Sequence, residues 1–464
     1  MPVLAATEAR FDYEIPVVII GAGACGLCAA LAATEGGAEV LVLERDEKPT
    51  GSTSLSTGLI PAAGTKLQAK LGIDDTPALF ARDIMEKAKG QTDAAMVQAV
   101  ARESGPTVDW LMESHDVVLT LVDGFLYPGH SKLRMHGTPH RSGRELEAAL
   151  LAASGRKGID VVSGALVEDL FADPAGRVTA VRFKRPDGTR ETVGCKALVL
   201  ACNGFGGNKE MLRQYIPEIA EADYMGHVGN TGDAVRWGLA LGGAIADMGG
   251  YQGHGAVAHP YGNTMTYGLI SGGGFQVNAS GARFSNEAAG YSEQAVEVVR
   301  QPGRVAWVIF DEAREKPVRG FTDYEEVMAL GGIKKAATIE ELARQLGLPT
   351  TAVAQSLAEA EASRASGKPD HFGRIFTGAA LAPAYCGVKV TGALYHTQGG
   401  LVVDPSARVL REDRSALPNL FAGGGAARGL SGPSRWGYLS GNGLLTATVL
   451  GRAAGMSAAA LVGR

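Results

Sequence analysis

Four consecutive apolar residues, Val17–Ile20, run into the small residues Gly21–Gly26. An alanine-rich stretch to Ala33 follows, then a second apolar run, Val40–Leu43, ending at Glu44. An unbroken apolar run suits a strand buried on both faces, and small residues from Ala24 to Ala33 predict a helix lying close against it. The order is strand, tight turn, helix, strand. From about Thr76 to Ser114 the apolar positions recur at helical spacing, without obvious chemistry. Residues 159–201 alternate apolar and polar, broken by turns at Gly176–Val178 and Asp187–Gly188, and predict a β-meander. The meander leads into KALVLACNGFGG, another buried strand closed by a glycine turn. A strand and turn recur at Asn419–Ala422 and Gly423–Gly425, before a helix over Asn442–Gly455. Between about 249 and 396 the pattern changes character, and Thr338 with Glu341 has capping-box spacing before an amphipathic helix. Strand–glycine-turn–helix signals at both chain ends predict one domain interrupted by an insertion.

Composition narrows the class. The 464 residues are 45% hydrophobic and 20% charged, which excludes a disordered chain and leaves room for more than one domain. A net charge of −5 gives no reason to expect nucleic acid or an anionic membrane as partner. Five cysteines (Cys25, Cys28, Cys195, Cys202, Cys386) are too few and odd in number for a disulfide scaffold, and predict a reducing, cytoplasmic setting. Cys25 and Cys28 have CxxC spacing, but within the glycine turn and its helix they are expected to pack rather than bind metal; no metal site is expected. The uncharged stretch Pro16–Thr34 imitates an export or membrane signal. Glu8, Asp12 and Glu14 outnumber Arg10 ahead of it, and its glycines suit a turn, so neither export nor insertion is expected.

GAGACG between a strand and a helix is a dinucleotide-binding pattern. Gly21 permits the tight turn, Gly23 lets a pyrophosphate approach the backbone, and Gly26 lets helix and strand close. The helix N-terminus offers N–H groups and a positive dipole end to the phosphate, and Glu44 is placed to accept from an adenosine ribose. The motif alone leaves FAD and NAD open. The ordered segments GSTSLSTGLIPAAGT (Gly51–Thr65), LACNGFGGN (Leu200–Asn208), SGKPDHFGR (Ser366–Arg374), HTQGGLVVD (His396–Asp404) and NLFAGGGAARG (Asn419–Gly429) decide between them. Over nearly its full length the chain resembles the flavoprotein family of fumarate reductases, succinate dehydrogenase flavoprotein subunits and 3-ketosteroid dehydrogenases. The resemblance implies FAD. It makes Ser52, Thr53, Ser56, Thr57 and Gly58 the flavin-side loop, Val167 the adenine contact, and Ala201, Asn203 and Gly204 the late turn. Asp233 becomes a further FAD contact. Gly424 and the stretch Ser440–Leu444, with Asn442 and Leu444, would meet the ribityl chain and ring. The Asn442 helix would then aim its positive end at the pyrimidine edge, where charge accumulates on reduction. Two positions depart from the family: Gly425 stands where a glutamate is common, and residues 45–60 lack the histidine that attaches FAD in succinate dehydrogenases. FAD is therefore expected to be non-covalent.

Removing hydrogens from adjacent carbons requires a hydride acceptor, a base and a group that polarises the activating carbonyl; reduction runs the same parts backwards. By the resemblance, GARFSNEAAGY places the proton-transfer residue four positions after Asn286–Glu287, at Tyr291. Fumarate reductases have an arginine there and 3-ketosteroid dehydrogenases a tyrosine, so the ketone branch is implied. A phenol with an ordinary pKa of about 10 needs a cation or a hydrogen-bonding partner to serve as base. Tyr438 and Ser440 resemble the hydroxyl pair that holds a ketone in steroid dehydrogenases and would stabilise enolate-like charge. The alternative for both tyrosines is packing, Tyr291 at a domain interface and Tyr438 at the flavin edge. His254, His396 and Arg435 align with positions that bind carboxylates in fumarate reductases, the arginine offering a planar fork. Against a plain fumarate reductase, Tyr267 and Ile270 replace the Glu and Arg of its proton relay.

The fold is expected to be α/β. A Rossmann-like FAD-binding domain (1–248 and 397–464) is interrupted by an α+β capping domain (249–396), with the site at their interface and hinge motion gating access. The expected activity is an FAD-dependent dehydrogenase introducing a C=C bond α,β to a ketone, its substrate a cyclic ketone or keto acid. The alternative is reduction of an α,β-unsaturated carboxylic acid with Tyr291 as acid. A third reading is an electron-transfer flavoprotein that needs partner subunits. Partners would be the small-molecule substrate and an external electron acceptor such as O2 or a quinone- or dye-type carrier.

Overall fold

In the computed structural model, which describes residues 2–123 and 126–463, the strand Glu14–Ile20 lies inside a mixed nine-stranded sheet. Val17, Val18 and Ile19 are wholly buried, as an unbroken apolar run requires. Val40–Leu43 pairs parallel to it with Val17 opposite Val40, and Asp160–Val162 continues the sheet on that side. On its other side Arg190–Leu200 pairs in parallel, Ala197 opposite Val17, and Ala416–Ala422 joins beyond. The meander forms as expected from Leu166–Ala172, Val178–Lys184 and Arg190–Leu200, antiparallel throughout. The last of these strands is antiparallel at its start and parallel at its end. The carboxyl ends Ile20, Leu43, Leu200 and Ala422 therefore share one edge, where ligands of open α/β sheets bind.

Two helices cover one face. Ala24–Glu35 packs along Asn442–Val462, and added Cβ atoms at Gly451 and Gly455 would stand 2.4 Å from the Cys25 carbonyl and 2.1 Å from that of Ala29. Asn442–Val462 has the length and apolarity of a membrane span, yet its small residues set its backbone against the first helix in the core. Cys25 and Cys28 are buried free thiols whose pKa burial pushes upward, as packing residues should be.

A second, six-stranded sheet is built around Tyr385–Thr397. Tyr251–Ala258, Val305–Asp311 and Ile333–Ala336 pair antiparallel with it, and Asp223–Tyr224 pairs parallel. That last strand lies outside 249–396, so this sheet recruits chain from before the expected insertion. Helix Tyr291–Val299 lies on the sheet, close enough that a Cβ at Gly392 would stand 2.2 Å from the Ala295 carbonyl. Thr338 accepts the Glu341 N–H at 3.2 Å, half of the expected box. The complete reciprocal box is at Thr65 and Gln68, with bonds of 3.0 and 3.1 Å.

Candidate active site

One cavity of about 540 Å³ takes its walls from both sheets. Glu44, Val167, Asp233 and Trp237 line one part, and the glycine turn with Ser52, Thr53, Ser56, Thr57, Ala201, Asn203 and Gly424 lines the next. His254, Tyr267, Tyr291, Tyr395, His396, Tyr438, Ser440 and Leu444 also line it.

The turn has the local chemistry its sequence predicts. Gly21 has φ +108°, and a Cβ there would stand 2.6 Å from the Ala201 carbonyl; one at Gly26 would reach within 1.8 Å of the Gly21 carbonyl. The Glu44 carboxylate accepts the Ala22 and Asp46 N–H groups at 2.8 and 3.0 Å, and Thr53 Oγ1 accepts the Ala24 N–H at 2.9 Å. Ser52 Oγ accepts side-chain N–H groups from Asn203 at 2.7 Å and Asn230 at 3.1 Å. With both lone pairs filled, its own O–H remains to donate, which suits the oxygen-rich middle of FAD. Asn203 also explains the departure at Gly425, where a Cβ would lie 2.0 Å from Asn203 Oδ1. Asp233 lines the cavity while paired with Arg236 and accepting from Thr231 Oγ1.

Several expected FAD contacts stand behind the wall instead. Gly58, at φ +67°, sits against the Ser142 carbonyl, and a Cβ at Gly204 would lie 2.1 Å from Thr397 Oγ1. Gly26 makes the close helix–strand contact expected of it and does not line the cavity. Asn442 is wholly buried, its side-chain Oδ1 and Nδ2 without hydrogen-bond partners among the described residues. Its neighbours Gly441, Gly443 and Leu444 bring the helix start to the cavity.

Tyr291 begins its helix and donates its hydroxyl to Ser440 Oγ at 3.1 Å. Its ring stacks on His254, centroids 5.2 Å apart and planes 24° apart, with Tyr267 at 5.6 Å and Tyr438 at 6.0 Å. Burial holds the phenol well above the ordinary tyrosine range; Ser440 opposes this, but no cation is among the principal influences on it. Tyr438 is likewise pushed up by burial, and its hydroxyl accepts the Gly443 N–H at 3.4 Å. His254 Nδ1 accepts the Ala256 N–H at 3.2 Å, which leaves the ring proton on Nε2. Burial lowers His254 to about 3 and His396 to about 4, so both rings are neutral at pH 7.

Arg435 corrects the carboxylate-clamp expectation. It is not in the cavity wall; its guanidinium turns to Glu297 at 3.5 Å and Glu218 at 3.8 Å. Tyr267 lines the cavity and donates to the Glu287 carbonyl, whereas Ile270 belongs to the core. The motif glutamate Glu287 is buried between Arg283 at 2.8 Å and Arg374 at 2.9 Å, and Arg283 also holds Asp370. GARFSNE and SGKPDHFGR are thereby tied together beside the start of the Tyr291 helix. Sequence reasoning missed Tyr127, Tyr395, Asp323 and Glu326 in the wall, and His130, which donates from Nε2 to the Ser440 carbonyl at 3.0 Å. Only Tyr395 had a signal, as the neighbour of His396.

The FAD-binding domain family matches residues 16–444. A probable fumarate reductase of Shewanella frigidimarina is 31% identical over 451 residues, covering 96% of this chain and 74% of that protein. The urocanate reductase of Eggerthella lenta is 26% identical over 464 residues, covering 97% and 75%. Among solved structures, an open-conformation flavocytochrome c3 fumarate reductase superposes with a TM-score of 0.81 at 29% identity, covering 98% of this chain and 80% of that one. A 3-ketosteroid-Δ4-(5α)-dehydrogenase of Rhodococcus jostii, in complex with 4-androstene-3,17-dione, gives 0.76 at 25% identity, covering 99% of each. With the glycine turn, the Ser52 donor and a match over most of its length, the chain belongs to the FAD-binding flavoprotein family and is an FAD-dependent oxidoreductase acting on carbon–carbon bonds.

Proposed function

We propose that the protein is a dehydrogenase that introduces a C=C bond α,β to a ketone. The observation that carries this reading is the buried Tyr291–Ser440 hydroxyl pair, with Tyr438 beside it, in the wall of the cavity that also meets the glycine turn. Bound FAD would supply the hydride acceptor. Tyr291 takes the proton from the carbon next to the carbonyl, and Tyr438 and Ser440 hydrogen-bond the carbonyl oxygen as negative charge gathers on it. In the phenolate form that takes the proton, with its own proton lost beforehand to solvent, Ser440 donates to Tyr291 while Tyr438 holds the carbonyl. Once Tyr291 is protonated it donates to Ser440, as in the structure, and frees the serine O–H for the enolate oxygen. Neutral His254 and His396 offer hydrogen bonds rather than charge. Residues 249–396 would cap a cofactor domain of 1–248 and 397–464, and an external acceptor such as O2 or a quinone-type carrier would remove the electrons.

One observation favours the reverse direction. A phenol held above its ordinary range keeps its proton at neutral pH, which suits an acid that completes reduction of an unsaturated carbonyl compound. Anaerobic mixing of the holoenzyme with saturated ketones, keto acids and succinate tests the primary reading. Ketones are expected to bleach the flavin band, and Tyr291→Phe to slow bleaching about 100-fold or more. Undiminished bleaching in that variant removes Tyr291 as base. Reoxidation by enones or enoates without bleaching by saturated ketones selects the reverse direction.

A further inference from the structure

We propose that Lys87 is a positioning residue: by clasping Glu293, it holds the Tyr291 helix so that the Tyr291 hydroxyl meets Ser440. Its effect on turnover rests on the reading above, in which Tyr291 moves the proton.

The two hydroxyls of the pair come from opposite sides of the cavity. Tyr291 begins a helix that lies on the second sheet, and Ser440 belongs to the segment that leads into the C-terminal helix on the first. One bond between hydroxyls contributes little net free energy, so other contacts must keep such separate elements in register.

Helix Pro77–Lys87 reaches both partners. Its Asp83 carboxylate accepts the Ser131 N–H and O–H at 2.8 and 2.7 Å and pairs with Arg134. Its Phe80 ring lies 5.9 Å from the ring of His130, which holds the Ser440 carbonyl at 3.0 Å. At the end of the same helix, Lys87 Nζ donates to Glu293 Oε1 at 2.6 Å and lies 3.5 Å from the Ala289 carbonyl. Glu293 stands in the first turn of the Tyr291 helix. The contacts close a ring that runs from Tyr291 through Ser440, His130, the Phe80 helix, Lys87 and Glu293 back to Tyr291.

The clasp is built into the fold. The two residues are 206 positions apart, and their side chains are only 17% and 19% exposed, so salt screens them weakly. The Glu293 carboxylate folds back over its own helix start, where a Cβ at Gly290, with φ +154°, would stand 2.2 Å from Oε2. Glycine at 290 leaves the carboxylate where Lys87 meets it. Burial pushes the Glu293 carboxyl up, and Lys87 opposes this; Arg435 is the second cation that does so. Arg435 reaches Glu297, one turn further along, only at 3.5 Å, and so pins the same helix less closely. Lys87 also offsets a carboxylate charge that disfavours a phenolate at Tyr291.

The test uses holoenzymes of the wild type, Lys87→Met and Lys87→Arg. Amide hydrogen exchange over residues 284–299 reads how firmly the helix is held and needs no turnover. In Lys87→Met exchange there should quicken about tenfold while the first sheet keeps its protection. Flavin bleaching at saturating ketone should slow about tenfold or more, with the half-saturating ketone concentration changed less than about threefold. Lys87→Arg keeps the charge and should recover most of both losses. If Lys87→Met does not yield holoenzyme, Glu293→Gln removes the same ion pair and is read in the same way. The proposal is overturned if exchange quickens throughout the chain with bleaching unchanged, which makes Lys87 merely stabilising. It is also overturned if exchange over 284–299 is unaltered, or if Lys87→Arg recovers neither loss. Failure of the desaturase reading looks different: no ketone bleaches the wild-type flavin, yet local exchange still quickens in Lys87→Met and slows again in Lys87→Arg.

Discussion

Tyr291 shows how one residue can carry opposite chemistry depending on its proton. Its phenol is buried against His254 and Tyr267 and bonded to Ser440, and burial favours the neutral form. If it acts as a base, its active form is the scarce phenolate, and the dehydrogenation rate should climb about tenfold per pH unit through neutrality and still be rising at pH 10. If it acts as an acid, its active form is the abundant phenol, and the rate should be flat across the same range. Rapid-reaction pH profiles in the two directions check this. The place of Tyr291 in the cavity wall was legible because its motif fixes an offset along the chain. Arg435 was not, since PSRWG says nothing about which way its turn faces. Glu297 and Glu218, from two separate stretches of chain, decide that.

The elements divide in the same way. Strand, turn and helix around Gly21 were readable because each requirement is local: positive φ at Gly21, no side chain at Gly26, an apolar run for a doubly covered strand. Helix Thr322–Ala329 was unreadable as part of the cavity wall, because Asp323 and Glu326 meet Asn263 and Thr264, from a distant stretch of chain, only in the folded molecule. The segments joined by Glu287 show what such distant contacts can do. With Arg283 and Arg374 both buried against it, Glu287→Gln leaves guanidinium charge uncompensated and should destabilise the protein by about 3 kcal/mol. Urea unfolding of the holoenzyme measures that loss. A fall below 1 kcal/mol would mean that water or backbone carbonyls replace the carboxylate.

At the scale of the whole molecule, the cavity is walled by surfaces contributed from far-separated parts of the chain rather than by one motif. The early loop, the late turn at Asn203 and the start of the C-terminal helix all meet the same cavity. We expect a non-covalent cofactor, because residues 45–60 hold no histidine. Acid precipitation should therefore release the flavin into the supernatant, and yellow colour retained in the washed pellet would contradict this. The order of segments was enough to anticipate an α/β flavoprotein, but not the strand Asp223–Tyr224 that the second sheet borrows from before residue 249. Asn203 constrains what can stand at position 425: its amide oxygen occupies the place where a side chain there would begin, so any larger residue at 425 requires the Asn203 side chain to move away from Gly204 and Ser52.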